Sequence, residues 1–498
     1  MSRFVRASKF RHVFGTVAKR EACYDNVRVS NNAWDSNFIA VNAKYISVNW
    51  EAAGGGAFGV IPLANVGRLP PDQPLFSGHS SAVLDTAFSP FDDNIIASGS
   101  EDTTVMIWRI PEGEFEEHQT TPLFTLQGHE RKVGHVLFHP TAANVLASSS
   151  SDKTVKLWDV ERGVERQTLD GHSEVIQSIT WNYNGSLMAT TCRDKKIRVF
   201  DVRTNQIVQE GPGHAGVKGS RIVWMGDYDR LATTGHSRYS DRQLGLWDTH
   251  NMAKPLKMTS IDSSSGILMP FYDADVKMLY LAGKGDGNIR YYEYENDDLF
   301  FLSEYKAADP QRGIAFMPKH ALHVRDCEIA RAYKLSNTTV EPVSFVVPRK
   351  AGTFQSDIFP LTASTHSALT ADEFFNGKDA NPILMDLATG SNADEAAVAA
   401  AAAAARARTP SPLPPKKAPS PAAAVPSEPA APRQLTPAQR EIAKAADQSS
   451  SAAAEAPVAK RSEPAAATPT IVEPVSTKAE PATVAPAASS QVGYGTNS

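Results

Sequence analysis

His129, Ser148 and Asp152 are the three residue types of a hydrolytic triad: a base, a nucleophile and a carboxylate that orients the base. Alone, that set would suggest acyl transfer. It does not stand alone. His79 precedes Asp102 by 23 residues, His129 precedes Asp152 by 23, His172 precedes Asp194 by 22 and His214 precedes Asp241 by 27. An enzyme needs one such constellation with its own pKa tuning. A set copied along the chain points to architecture, a buried hydrogen-bond network that ties a turn to a sheet.

The elements that must hold these residues are themselves repeated. Each aspartate opens a cassette ending on an aromatic: "EDTTVMIW" to Trp108, "SDKTVKLWD" to Trp158, "RDKKIRVFD" to Phe200, "SDRQLGLWD" to Trp247 and "GDGNIRYYE" to Tyr292. The aromatics are 50, 42, 47 and 45 residues apart, a period that belongs to four-stranded propeller blades. Apolar residues alternate within each cassette, so Val155 and Leu157 share one strand face and pack between neighbouring blades. The small-residue runs "IIASGS", "VLASSS" and "LMATTC" let blades approach closely.

Two further segments keep the rhythm. "FIAVNAKYISVNWEAAGGGAFGVIPL" (38–63) reads as a degenerate first blade and "GIAFMPKHALHVRDCEIARAYKL" (313–335) as the last, giving seven with the five clear copies. "KFRHVFG" (9–15) is placed to supply the strand that closes the ring and removes a sheet edge. Gly54–Gly56 reads as a tight strand turn, because no helix pattern and no Lys-Ser pair follows it as a phosphate loop requires. The expected fold is all-β, a seven-bladed WD-repeat β-propeller over 1–340. A C-terminal extension over 341–390 should pack on it, since Phe345, Phe354, Ile358, Phe359, Phe374, Phe375 and Ile383 are too many large apolar groups for a free linker. "LTADEFF" has a helix start, with Thr370 as cap and Glu373 three residues on. Residues 391–498, rich in Ala, Pro and Ser, read as a disordered variable tail.

Within that tail, Pro412, Pro415 and Lys417 of "PLPPKK" have the spacing of a polyproline ligand for an SH3 domain. Ser/Thr-Pro pairs begin at 409, 411, 420, 436 and 468, where phosphorylation would add charge.

Charge narrows the partners. The whole chain carries 50 basic and 55 acidic residues for a net −5, which argues against nucleic acid. Residues 1–30 hold Arg3, Arg6, Lys9, Arg11, Lys19, Arg20 and Arg28 against Glu21 and Asp25, a local +5 suited to an anionic partner. Three cysteines without ligand spacing imply a reducing compartment, and no metal or cofactor site is read. No apolar stretch follows the basic N-terminus as in a signal peptide, and the longest apolar run, 396–405, is too short for membrane insertion. A cytoplasmic protein is expected.

"KFRHVFG" (9–15), "VSNNAWDS" (29–36), "AGGGAFGVIPL" (53–63), "TTGHSRYSDRQLGLWD" (233–248) and "VPRKAGTFQSDIFPLT" (347–362) together resemble the coronins, over roughly residues 1–390. The resemblance implies a non-enzymatic cytoskeletal protein that binds actin filaments (F-actin) at the cell cortex. It also implies roles in filament organisation and turnover, including cortical patches and endocytosis, with the branched-actin nucleating complex and cofilin as partners. Within the family a basic residue of the N-terminal "RVS" stretch is implicated in filament binding, and the matching position is Arg28. Arg3, Arg6, Lys9 and Arg11 are the accompanying cations. One departure concerns the end of the chain: coronins usually finish in a coiled coil, and 391–498 has no sustained heptad pattern. Either the form is truncated or its end has been lost, which leaves oligomeric state open. The competing reading is a general WD-repeat adaptor, a nuclear or protein-turnover hub. A propeller enzyme would need convergent carboxylates or histidines outside the blade network, and none is found.

Overall fold

The computed structural model describes residues 6–113, 115–350 and 352–407 of the chain. Within them the predicted period becomes seven sheets arranged as a closed propeller, antiparallel but for the pairing of Tyr24–Asp25 with Gly67–Arg68 at the edge of the last. Blade 1 is built from Ile39–Val41, Tyr45–Asn49, Ala57–Pro62 and Leu75–Ser77. Blades 2 to 6 each take four consecutive strands, beginning at Val83, Val133, Ile176, Arg221 and Leu268. The first strands of successive blades lie against one another around the axis, and blade 7 meets blade 1.

Blade 7 closes the ring with both ends of the repeat region. Gly313–Phe316, Glu328–Leu335 and Thr339–Val346 supply three strands, and Phe14–Val17 pairs antiparallel with the last of these, Phe14 opposite Val346 and Val17 opposite Val343. The closing strand therefore starts at the very end of the 9–15 motif. Residues 10 and 13 of that motif are instead buried beneath the blade.

Each blade buries both faces, which the second strands make possible. Ile95–Ser100, Val145–Ser150 and Met278–Gly283 are buried at every position. Their Ala, Ser and Gly residues keep neighbouring sheets close, while large side chains fill the gaps on either side. The apolar core accordingly divides into seven clusters, one at each blade–blade interface. Trp108, Trp158 and Trp247 are each about fully buried in three of them. Gly55 and Gly56 carry the turn of blade 1: Gly55 has φ +80°, and a Cβ on Gly56 would sit 1.8 Å from the His79 carbonyl oxygen.

Strand order fixes two faces. One, the linker face, carries the connections between blades and the turns between second and third strands. The opposite face carries the remaining turns. The segment after Val346 runs over that opposite face. Val347, Ile358 and Phe359 join the core of blades 6 and 7, together with Phe10 and Val13. Thr362–Ala363, Leu384–Asp386 and Ser391–Asn392 form a small sheet of their own. Ala371–Phe375 is a one-turn helix with the expected capping box between Thr370 and Glu373. It drops Phe374, fully buried, among the side chains of blades 3 and 4, with the His139 ring centroid 4.3 Å away. Arg162 grips Asp372 (2.7 Å), and Arg203 donates to the Gly377 carbonyl (3.0 Å) and pairs with Asp379.

Phe374→Ala is expected to destabilise the protein by about 3 kcal/mol, the usual cost of emptying a buried aromatic site. Urea unfolding of the variant and the parent checks the figure, and proteolysis should reach residues 360–392 first.

Candidate functional site

The triad-like residues come together as two complete networks. In blade 2, His79 Nδ1 lies 2.9 Å from Asp102 Oδ2 and its Nε2 lies 2.7 Å from Ser98 Oγ, which also accepts from Trp108 Nε1 (2.9 Å). Blade 3 repeats this with His129, Asp152 (2.7 Å), Ser148 (2.8 Å) and Trp158 (2.7 Å). The serine hydroxyl is thus held between an imidazole and an indole, with both of its neighbours buried and no open space for a substrate. Burial pushes the Asp102 and Asp152 carboxyls up, but the bonds from histidine and threonine outweigh it and hold both well below the usual range.

Blades 4 and 5 depart from the pattern. His172 reaches Thr190 (2.9 Å) but not Asp194, which is taken by Arg198 (2.7 Å) and Ser173 (2.7 Å). His214 reaches Thr233 (3.0 Å), which also accepts from Trp247 Nε1 (2.8 Å), but not Asp241. Burial lowers both imidazoles to about 4, so they remain neutral at physiological pH. Between blades 5 and 6 an arginine does the tying: Arg242 Nε meets Asp262 (2.6 Å) and Nη2 meets Asp286 (2.7 Å), the aspartate of the next repeat. Arg198 and Arg242 were not singled out in the sequence, although both stand inside the repeated cassette.

The N-terminal cations do not form one patch. Arg3 lies outside the described residues. Arg6 pairs with Glu295 (2.7 Å) and Glu293 on blade 6 and stacks on Phe300 (4.4 Å). Lys9 donates to the Asp357 carbonyl (2.9 Å) and faces its carboxylate (3.3 Å), fastening the N-terminus to the C-terminal extension. Arg11 is half-buried in the same stretch. These residues sit at the opposite face, where Phe14 begins its strand. The charges of Arg6 and Lys9 are engaged in fastening the N-terminus to blade 6 and to the C-terminal extension.

Arg28 lies at the linker face. Val27 N donates to Thr338 O (2.9 Å), Glu51 N to Arg28 O (2.8 Å) and Ser30 N to Asn49 O (2.9 Å), so the backbone is fixed on both sides. Val27 and Val29 point inward and are buried, and alternation turns Arg28 outward. Its guanidinium is exposed and has no ion-pair partner among the described residues.

The next residues lie across the linker-face mouth of the central channel. Trp34 Nε1 donates to Gly134 O on blade 3 (2.9 Å), Lys284 of blade 6 donates to Trp34 O (2.7 Å), Arg221 of blade 5 donates to Asp35 O and Arg312 donates to Ser30 O (2.9 Å). Gly134 leaves room for the indole, for a Cβ there would fall 2.2 Å from Trp34 Cζ2. That mid-strand glycine in "VGHVLF" was the sequence signal for the contact. Below, burial pushes the Asp85 carboxyl up to about 7 against the pull of a Val136 N–H bond and Arg221.

The amino-acid sequence and this geometry were compared with known proteins. Residues 72–109, 120–159 and 163–201 match the WD domain, G-beta repeat, and residues 340–382 match a type of WD40 repeat. Residues 3–68 match a domain of unknown function, DUF1899. Coronin-A of Dictyostelium discoideum is 54% identical over 400 residues, 80% of this chain and 89% of that protein. The chain belongs to the coronin family.

The coronin-like protein of Schizosaccharomyces pombe is 48% identical over 78% of this chain, and that of Saccharomyces cerevisiae 46% over 77%. The chain matches only 65% and 61% of the lengths of these two relatives. The crystal structure of the WD40 domain of Toxoplasma gondii coronin superposes with a TM-score of 0.72 at 32% identity, covering 76% of this chain and 97% of that one. Among the described residues of this coronin, no group of three or more His, Cys, Asp or Glu side chains is arranged to hold a metal, and no helix is long and apolar enough to cross a membrane. Its three cysteines are buried and free.

The depressed Asp102 and Asp152 carboxyls give a signed pH dependence. A lowered folded-state pKa adds stability above the unfolded value, and that stability is lost as pH falls below about 4 toward the folded value. The Asp102→Asn/Asp152→Asn double variant should be less stable than the parent at pH 7 and show a shallower decline between pH 4 and 2. Guanidinium unfolding across that range is the check, and parallel acid limbs would contradict it.

Proposed function

We propose that this coronin binds the sides of actin filaments through its linker face, as a non-enzymatic scaffold for filament organisation and turnover. Membership of the family supports the partner. The observation that carries the site is Arg28, a cation fixed at its backbone, directed outward and left without an ion-pair partner among the described residues. Such a group steers an acidic polymer toward the face and makes affinity fall with salt.

The same reading places the protein in the cytoplasm, on the actin cytoskeleton and at the cell cortex, in cortical patches and endocytosis. The branched-actin nucleating complex and cofilin are its proposed co-workers. An SH3-domain protein is proposed as a ligand of Pro412, Pro415 and Lys417, which lie outside the described residues. The blade networks argue against hydrolysis, because each serine hydroxyl is already engaged by an imidazole and an indole.

Filament pelleting with the full chain tests the proposal. Wild-type protein should co-sediment with actin filaments and lose affinity as salt rises. Arg28→Asp should weaken binding by about tenfold, the equivalent of about 1.4 kcal/mol, with the melting temperature unchanged. Arg6→Ala should act differently, lowering thermal stability through loss of its blade 6 contacts. Binding by folded Arg28→Asp equal to that of the parent would remove the site.

A further inference from the structure

We propose that Tyr239 and Val217 are apolar anchors through which blades 4 and 5 contact the same filament, with Arg193, Arg238 and Lys195 as their cationic rim; this rests on the filament-binding reading above. Tyr239 is 90% exposed and Val217 83%, against 56% for Phe301, the next most exposed large apolar side chain among the described residues. Both stand on the linker face, as Arg28 does. Val217 lies in the connection from blade 4 to blade 5 and Tyr239 in the turn between the second and third strands of blade 5. A hydrogen bond from Gly216 N to His236 O (2.8 Å) holds the two loops against each other.

The turn that carries Tyr239 gives up the blade's own bond to exist. In blades 2 and 3 the aspartate reaches back to the histidine, and the left-handed residue follows it, at Thr103 and Lys153. In blade 5 the left-handed residue is Ser240, ahead of Asp241, and the aspartate is carried away from His214. His214 Nδ1 is left buried without a hydrogen-bond partner, as His172 Nδ1 is in blade 4, and the tie is made instead by Arg242, which follows Asp241 and bonds Asp262 and Asp286. What is gained is a rigid presentation of the tyrosine. Ser237 Oγ accepts from Tyr239 N (3.1 Å) and Asp241 N (3.2 Å), and Ser237 N donates to Asp241 O (2.8 Å). The turn departs from the pattern of blades 2 and 3 at the point where it presents the most exposed large apolar side chain among the described residues.

The surroundings fit an acidic partner. Arg193 and Arg238 are exposed, with no ion pair among the described residues. Lys195 Nζ donates to the Ala215 carbonyl (2.8 Å) and so keeps its charge. The nearby Asp194 is taken up by Arg198. An aromatic anchor with an arginine rim, already ordered before contact, is the composition that dominates binding energy in protein interfaces.

Pelleting with the full chain decides the matter. Tyr239→Ala/Val217→Ser should bind filaments about 30-fold more weakly with an unchanged salt dependence, as for loss of apolar anchors. Arg193→Glu/Arg238→Glu should weaken binding and flatten the salt dependence. Both double variants should melt with the parent, because the altered side chains are exposed. If Arg28→Asp weakens binding and Tyr239→Ala/Val217→Ser does not, the anchor is overturned and the filament reading stands. If the wild type fails to pellet, both fall together.

Discussion

Everything in this molecule depends on the pairing of Phe14–Val17 with Thr339–Val346. Seven blades surround an axis only if the last is complete, and the last takes one strand from the start of the chain. The pairing is reinforced from outside by ionic contacts that join distant segments: Arg6 to blade 6, and Lys9 to Asp357, which also binds Arg349 (2.7 Å). Phe10 and Val13 on one side, Ile358 and Phe359 on the other, share one apolar cluster with blades 6 and 7. Burial of apolar surface supplies the bulk of the free energy, and the ionic contacts set which segments meet.

With the ring closed, its two faces take different work. Charge on the opposite face is internal: Arg162 and Arg203 meet aspartates of the extension, and Lys319 meets Asp273. On the linker face, Lys284, Arg221 and Arg312 donate to carbonyls around residues 30–35 and Lys132 lies over Trp34 (4.8 Å), while Lys284 also faces Asp35 (3.6 Å) and Lys132 faces Glu101 (3.7 Å). Arg28, by contrast, is exposed and has no ion-pair partner among the described residues. The proposed function rests on that exposed cation more than on net charge.

Much of the fold was legible in the sequence because the repeat is a packing requirement written seven times. Alternation in "TVKLW" and the small residues of "VLASSS" have few alternatives once the period is seen. The capping box at Thr370 was legible for the same local reason. The placing of the N-terminal charges was not legible, because a run of cations has no face until strand direction is known. Arg6 and Arg28 are 22 residues apart and end at opposite ends of a blade. Long-range partners such as Glu293 for Arg6 leave little trace near the residues they serve. The blade 5 exception did leave one: the 27-residue spacing from His214 to Asp241, against 22 or 23 elsewhere, is the inserted turn itself.

The small sheet that ends at Ser391–Asn392 lies on the side of the disc away from Arg28. The chain therefore departs from the back of the ring while the front is reserved for whatever Arg28 meets. The described chain thus leaves the ring on one side and presents its exposed, unpaired Arg28 on the other.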